Sequence, residues 1–585
     1  MVVSPDPQNG KASLLMIEGG LTLIAATVAF GWPMLGSRLF ARVEKACGVL
    51  ARRRSLTVVL VGLGALLLRL AIIPVCPAPH PFLPDDFSNL LAADTFASGR
   101  LTNPTPPMWM HFESIHIDMQ PTYMSMYFPG EGLLLAASKV LTGHPWYGLW
   151  VMSALMCGAV CWMLQGWLPC NWALLGGSLV TLRIGLFSYW INTYTGAGLI
   201  TAFAGALVLG ALARFRKCPR FRYSLLMAIG VVILGLTRPY EGVLLCLPVA
   251  VVVGRLLWGQ LQLSPGRVLR LIAVPLTLLL AGGAWMGYYN YRVFGSPSKL
   301  PYTVNRATYA MAPYFIWQSP RPEPAYRHAE IRHFYYQSEL AYYDEGRRHL
   351  FRQMLMKAIG ATLFFSGFAL LPALLMFRRV LSDRRTRFLV QCTAIVSAGM
   401  AVQVFLIPHY LAPFTALFYA IGLQAMRHLR VARIGGQPVG LGLVRLLVTL
   451  CFLLGVVRLF VQPLHISMSK WPPSNWSYSW YGPLDFGKER ADIESQLELL
   501  PGKQIVFVKY PSDHYPLDEW VYNMPQIDRA KVVWAREMDP AEDLALIQHY
   551  RDRHTWLVDL GDRPPAASPY PLREETVASI SDSGH

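Results

Sequence analysis

The chain has 585 residues, 54 % hydrophobic and only 15 % charged, with a formal charge of +17. That composition excludes an ordinary soluble globule, because a bilayer-spanning helix needs roughly 20 apolar residues and this chain offers many such runs. The positive charge would suggest nucleic acid in a soluble protein; here the bases gather at the ends of apolar runs, where membrane orientation and anionic lipid account for them and nucleic acid does not.

Apolar runs at 13–37, 56–75, 146–166, 171–190, 196–213, 223–238, 240–257, 269–289, 354–377, 388–406, 411–426 and 441–461 predict about twelve spans. The first lacks a basic leader and an A-x-A site, so it reads as a retained span. Five basic clusters alternate with the runs: Arg38, Arg42, Lys45 and Arg52 to Arg54; Arg214, Arg216, Lys217, Arg220 and Arg222; Arg255, Arg267 and Arg270; Arg378, Arg379, Arg384, Arg385 and Arg387; Arg427, Arg430 and Arg433. The positive-inside rule puts these in the cytoplasm. The external set is then 76–145, 191–195, the junctions near 239 and 409, 290–353, and everything after 461.

In the first external loop, Pro84 to Gly99 reads as a surface helix with Asp85 and Asp86 in its first turn, at the positive helix end. Capping alone would account for both acids. Residues 101–131 are too polar to span and too aromatic for a plain linker, with Trp109, His111, Glu113, His116 and Tyr127, and read as a folded interfacial cover. The run 128–143, carrying Glu131 and Lys139, is too short to span and reads as an interfacial or re-entrant helix.

Four later span ends deliver polar and aromatic groups to the same face: Tyr189, Trp190, Asn192 and Tyr194; Arg238, Tyr240 and Glu241; Tyr289, Asn290 and Tyr291; His409 and Tyr410. An aromatic belt explains the rings but not Arg238, Glu241 and His409, since ionisable groups tight against spans usually face a cavity. Arg238 with Glu241 equally fits a structural ion pair. The stretch 290–352 interleaves Lys299, Arg306 and other bases with tyrosines; it reads as a solvated surface or, more sharply, as a phosphate-binding flap. After 461, QIVFV (504–508), KVVWA (531–535) and TWLVDL (555–560) predict buried strands, with helices near 488–500 and 541–552. The expected organisation is a membrane domain over 1–461, a small external α/β domain over 462–585, and disordered Pro-rich residues at the very end.

Nine cysteines are scattered without a CxxC pair, which indicates neither a disulfide framework nor a zinc site. No cofactor is firmly implied, and a divalent cation has no ligand motif behind it. No Walker A or GxGxxG turn is present, so a nucleotide site is not expected. No internal repeat stands out, which weighs against an inverted-repeat transporter.

PDDFSNLLAADTFASGRLTNPTPP (84–107), YFPGEGLLLA (127–136) and PHYLAP (408–413) resemble the motifs of the C-type (GT-C) membrane glycosyltransferases, the superfamily of protein O-mannosyltransferases and lipid A aminoarabinose transferases. The likeness covers residues 55 to 430. This chain differs in having Asp rather than Glu as the second acid, and His409 where an Arg is common.

The resemblance implies a GT-C-like fold and transfer of a sugar from a polyprenyl-phosphate donor to a glycan, lipid or protein acceptor. The setting it implies is the periplasmic face of a bacterial inner membrane. Asp85 or Asp86 is then the base for the acceptor hydroxyl. Arg238, Lys299, Arg306 or His409 would hold the departing phosphate. Asn89, Tyr194, Tyr240, Glu241, Asn290 and Tyr410 would line the sugar or acceptor site. Inverting and retaining outcomes both stay open. The competing classes are a transporter or flippase for a lipid-linked saccharide, and an envelope scaffold.

Overall fold

The computed structural model describes residues 13–262, 264–466, 478–483 and 486–571. Helices dominate, and the protein is a polytopic α-helical membrane protein with a small sheet near its C-terminus. Seven helices are long and apolar enough to cross a bilayer: Leu14–Gly31, Arg54–Ala71, Trp146–Trp167, Gly198–Phe215, Pro239–Gly259, Pro265–Phe294 and Val439–Leu459. Leu350–Ser366 with Leu371–Ser382 makes an eighth if a pair bent by 113° is one span, and Phe221–Gly235 and Arg387–Val402 are apolar but shorter.

Among the described residues, helix length therefore does not reach the expected twelve spans, and the shortfall has local causes. The 171–190 run is a helix over Cys170–Val180, a π turn over Thr181–Gly185 and a last turn over Tyr189–Asn192. The 411–426 run enters through a 3-10 turn, Pro408–Phe414, because Pro413 has no N–H to give, and only then becomes the Thr415–Arg430 helix.

The 354–377 run breaks at Gly367, whose φ is +55°; a Cβ there would lie 1.8 Å from Arg183 Nη2 and 2.3 Å from Glu18 Oε1. The bend makes room for a buried ion pair. Arg183 Nη2 donates to Glu18 Oε1 at 3.0 Å, Trp480 Nε1 donates to Oε2 at 3.0 Å, and the Ala369 N–H donates to Oε1 at 3.1 Å. The guanidinium also stacks on the Trp480 ring, 4.8 Å from its centroid. Four remote segments are joined at this point.

Beyond the spans, Pro84–Ala97 and the 14-residue Pro129–Thr142 helix form where the sequence predicts them. The C-terminal sheet has the order Val532–Arg536, Lys503–Lys509, Arg553–Asp559, Ala567–Pro569, with the first three strands parallel and the last antiparallel. Alternation along the central strand gives each face its own core. Val506 and Val508 pack with Ile493, Leu497, Trp520 and Trp534. Ile505 and Phe507 pack instead with Phe112, Ile117, Met119 and Tyr123 of the first external loop and with Leu91 of the Pro84–Ala97 helix. The sheet thus shares a core with the loop that carries Asp85. The residues expected to be disordered at the end fall at 572–585, outside the described residues.

The 290–352 stretch is folded: Pro301–Tyr309, Ala329–Arg332 and Ala341–Arg348 are helical, and Tyr309, Ile331, Phe334 and Tyr335 cluster around Ile115.

Candidate active site

Pro84 opens its helix at a fixed φ, so both acids occupy the first turn, where free N–H groups point at them. Their surroundings then diverge. Asp86 is fully buried, and both of its oxygens are committed. Oδ2 accepts from the Phe82 and Leu83 N–H groups, each at 3.3 Å; Oδ1 accepts from the Tyr194 N–H at 2.8 Å and from Thr195 Oγ1 at 2.6 Å. Burial, only partly offset by these donors, pushes its carboxyl up to about 6. Asn89 adds a bond from Nδ2 to the Tyr194 carbonyl at 2.8 Å, so this helix face is a clamp on residues 194–195.

Asp85 is partly accessible, its side chain 19 % exposed. Both of its described hydrogen bonds end on one oxygen: His116 Nδ1 and the Tyr127 hydroxyl meet Oδ1. Burial works to raise this carboxyl, but the His116 ring and the bonds with His116 and Tyr127 outweigh it and hold it below the ordinary aspartate value. Asp85 is therefore ionised at neutral pH.

The loop delivers His116 and Tyr127 by folding back. Ile117–Asp118 pairs with Met124–Ser125 in an antiparallel register, while Ser88 Oγ donates to the His116 carbonyl at 2.7 Å and meets Ser125 Oγ at 2.7 Å. His116 has φ +66°, a left-handed conformation costly for a side chain with a Cβ, and such strain concentrates at functional positions.

Arg238 and His409 come from two other span ends. Arg238, 6 % exposed, donates from Nε to the Gly196 carbonyl at 3.0 Å and from Nη1 to Glu241 at 3.4 Å, and lies 4.4 Å from the Tyr410 ring centroid. Burial opposes its charge, yet the surrounding tyrosines and Glu241 hold its pKa above the ordinary arginine value. His409 is buried beside Gly196, whose φ is +87° and whose Cβ would lie 2.4 Å from the imidazole ring, so only glycine admits the ring. The Tyr189 hydroxyl accepts the His409 backbone N–H at 2.9 Å and lies 2.8 Å from Nδ1 of the same residue, in reach to donate to it. Burial first, then Arg238, hold the ring well below its ordinary pKa, with Asp85 acting the other way. A neutral ring that accepts at Nδ1 keeps its proton on Nε2.

Asp85 Oδ2, Arg238 Nη2 and His409 Nε2 have no partner among the described residues. None of the three is sealed away, unlike Asp118 Oδ2 and the Tyr289 hydroxyl, which are buried and unpaired. The centre thus combines an acceptor oxygen, a cationic donor and a neutral donor, all uncommitted.

Glu131, in the first turn of the Pro129–Thr142 helix, joins this centre. Burial pushes its carboxyl up to about 8, against the Ala197 N–H and Arg238 and with help from Asp86 and Asp85. It is neutral at pH 7.

The other residues predicted for the site lie in different settings. Arg306, expected to hold phosphate, is instead committed to Glu339: Nη1 and Nη2 reach its carboxylate at 3.1 and 3.0 Å, and Nη2 also donates to the Ala312 carbonyl. Two parallel charge-assisted bonds leave no free fork for a phosphate. Lys299 is exposed. The Tyr240 hydroxyl donates to the Gly399 carbonyl at 2.7 Å, Asn290 Nδ2 to the Pro297 carbonyl at 3.1 Å, and the Tyr194 hydroxyl to the Pro79 carbonyl at 3.3 Å, each bond tying one segment to another. Glu241 faces Arg238, as the ion-pair reading has it. Tyr302, on the stretch expected to act as a flap, sets its ring edge-on to Tyr127 and Phe128 at 5.6 and 5.3 Å.

Sequence reasoning did not select His116, Tyr127, Glu131, Tyr189 and Tyr302 as site residues. An acid in the first turn of a short interfacial helix was the readable signal for Glu131. For the others, only the folded loop reveals the meeting. Among the described residues, no group of three or more His, Cys, Asp or Glu is placed to hold a metal ion.

Fold and site together define a helical membrane protein with a polar, partly open centre where the loops between spans meet span ends. No protein-family model and no curated protein sequence matches the chain. Solved structures similar to it include ArnT from Cupriavidus metallidurans in the apo state, at 12 % identity over 89 % of this chain and 95 % of that one, with a TM-score of 0.44. They also include the Archaeoglobus fulgidus oligosaccharyltransferase tethered to an acceptor peptide, at 10 % identity over 85 % of this chain and 68 % of that one, TM-score 0.38. AglB from the same organism, in complex with an inhibitory peptide and a dolichol-phosphate, matches at 10 % identity over 85 % and 69 %, TM-score 0.38.

Proposed function

We propose that the chain is a GT-C-type glycosyltransferase that moves a sugar from a polyprenyl-phosphate donor to a hydroxyl acceptor on the extracytoplasmic face of the membrane. The observation that carries this reading is Asp85. It is an ionised carboxylate with one oxygen fixed by His116 and Tyr127 and the other uncommitted, beside an arginine and a histidine that each keep a free N–H.

The acceptor oxygen attacks the anomeric carbon while its proton passes to Asp85 Oδ2. The bond between that carbon and the phosphate oxygen breaks, and its electron pair leaves on the lipid phosphate. Arg238 Nη2 and the His409 Nε2–H neutralise the developing charge. His116 and Tyr127 act as positioning residues, holding Oδ1 so that Oδ2 faces the substrate. With Asp85 acting as base, transfer is a single displacement that inverts the anomeric centre, whereas Asp85 acting as nucleophile would retain it. In this reading the sheet of strands 503–569, which shares a core with the loop that carries His116, contributes to acceptor choice.

The test is transfer from a panel of polyprenyl-phosphate sugars by the purified full chain, with the product anomer read by NMR. Asp85→Asn should lower transfer by about 100-fold or more, the usual range for a lost general base. Near-normal transfer in that variant overturns the assignment, and a retained anomeric configuration overturns the single displacement.

A further inference from the structure

A second polar site lies on the far side of the Asp86 clamp. Arg69, in the last turn of Arg54–Ala71, and Arg458, in the last turn of Val439–Leu459, are both buried at the same end of the span bundle. Arg69 Nη1 donates to the Cys76 carbonyl at 2.5 Å, and Nη2 donates to Asn192 Oδ1 at 3.0 Å and to the Pro77 carbonyl at 3.2 Å. Arg458 Nε donates to the Tyr481 carbonyl at 2.8 Å. Every one of these acceptors is neutral. Among the described residues neither arginine has a carboxylate within ion-pair distance, whereas Arg183, Arg238, Arg306, Arg490 and Arg536, which are as deeply buried, each have one. These neutral oxygens take only some of the N–H groups, Arg69 Nε being left without a partner, and no carboxylate among the described residues compensates the charge; two such cations near each other in a low-dielectric setting are costly.

The cost has an evident outlet. A small half-open cleft of about 40 Å³ runs beside the pair, lined by Arg458, Asn192, Gln462 and His80 on its polar side and by Phe82 and Phe486 on its apolar side. We infer that this cleft binds a phosphate-type oxyanion, with Arg458 as the direct ligand, His80 at the rim, and Arg69 acting through Asn192. Its depth at the span ends and its aromatic wall suit a phosphate carried on a lipid. The cleft adjoins the Asp86 clamp through Phe82, whose N–H donates to Asp86, but it is lined by none of Asp85, Arg238 and His409 and so is distinct from that centre. The inference stands whether or not Asp85 is a base.

The experiment uses the full chain in nanodiscs of neutral phosphatidylcholine and follows its melting temperature as dioleoyl phosphatidic acid is added to the bilayer or inorganic phosphate to the buffer. A rise with both probes assigns the phosphate group itself as the ligand, and a rise with phosphatidic acid alone assigns a lipid-borne phosphate. Arg458→Gln should weaken the apparent affinity about tenfold or more. His80→Glu, which sets an anion at an exposed rim position where folding is not at stake, should do the same. Arg379→Gln, on the basic 378–387 segment, should leave the response intact. No melting shift in the wild type, or an undiminished shift in His80→Glu, overturns the site.

Discussion

Two buried ionic clusters, at Glu18 and at Asp85, use the same residue types to opposite ends. Around Glu18, both carboxylate oxygens are occupied, by Arg183, Trp480 and the Ala369 N–H, and nothing is left to offer a ligand. Around Asp85, donors crowd onto one oxygen and leave the other bare, while Arg238 and His409 each retain an N–H. Burial and ion pairing alone therefore do not separate a weld from a reaction centre; the count of uncommitted atoms does.

That contrast can be broken by exchanging what is measured. Asp85→Asn should lower transfer by about 100-fold or more yet change the melting temperature little, because Asn keeps an acceptor for Tyr127. Glu18→Gln should do the reverse. It leaves Arg183 buried without its counter-charge, which costs about 3–5 kcal/mol of stability, while transfer per folded molecule stays near normal. If Glu18→Gln slows transfer as strongly as Asp85→Asn, the distinction fails.

A second comparison sharpens the roles inside the centre. Arg238→Gln should cut transfer about tenfold to a hundredfold, with kcat falling at least as much as donor affinity, since its free N–H meets charge that grows as the phosphate leaves. Steady-state kinetics at saturating donor read the split, and a pure KM effect would reduce Arg238 to a binding residue. Asp86→Asn should cost about 1–3 kcal/mol in a denaturation curve, because the amide nitrogen cannot accept the Phe82 and Leu83 N–H groups that now reach Oδ2. A variant as stable as wild type would mean the clamp is dispensable.

The last expected effect is one of pH dependence and concerns Glu131. Folding raises its carboxyl from about 4.5 to about 8, so the folded chain holds that proton more tightly than the unfolded one. Stability from this group is complete below pH 4.5 and is lost as pH climbs toward 8. Glu131→Gln should match wild type near pH 5 and melt a few degrees higher near pH 8.5; parallel curves at both pH values would remove Glu131 from the buried set.

Much of this architecture is legible in the chain. Long apolar runs and the Pro84 helix start are local signals, and most of those runs are helices in the structure, seven of them long enough to span among the described residues. The strands near 505, 533 and 556 are equally local, their short continuous apolar runs marking them as buried strands. What stayed hidden is pairing at a distance. Arg306 reads as a free cation until Glu339, 33 residues on, folds against it, and a stretch of mixed sign is the kind in which such neutralisation should be expected. His116 and Tyr127 reach Asp85 through a hairpin only two residues wide per strand, too short for periodicity to register. The broken 354–377 span has its cause in Glu18 and Arg183, at sequence positions that no window covers.

The Glu18 cluster also sets an order of events during synthesis. Arg183 follows Glu18 by 165 residues and Trp480 by 462. At roughly 5–20 residues per second, the ribosome leaves the first apolar helix waiting about ten to thirty seconds for its counter-charge, and longer for the indole that closes the cluster. Until then Leu14–Gly31 also lacks Val439–Leu459, the span it packs against in the finished fold. Its docking is a late step, gated by the arrival of the C-terminal region, so a chain released before Trp480 emerges would carry a loosely held first helix and be an early target for membrane proteases.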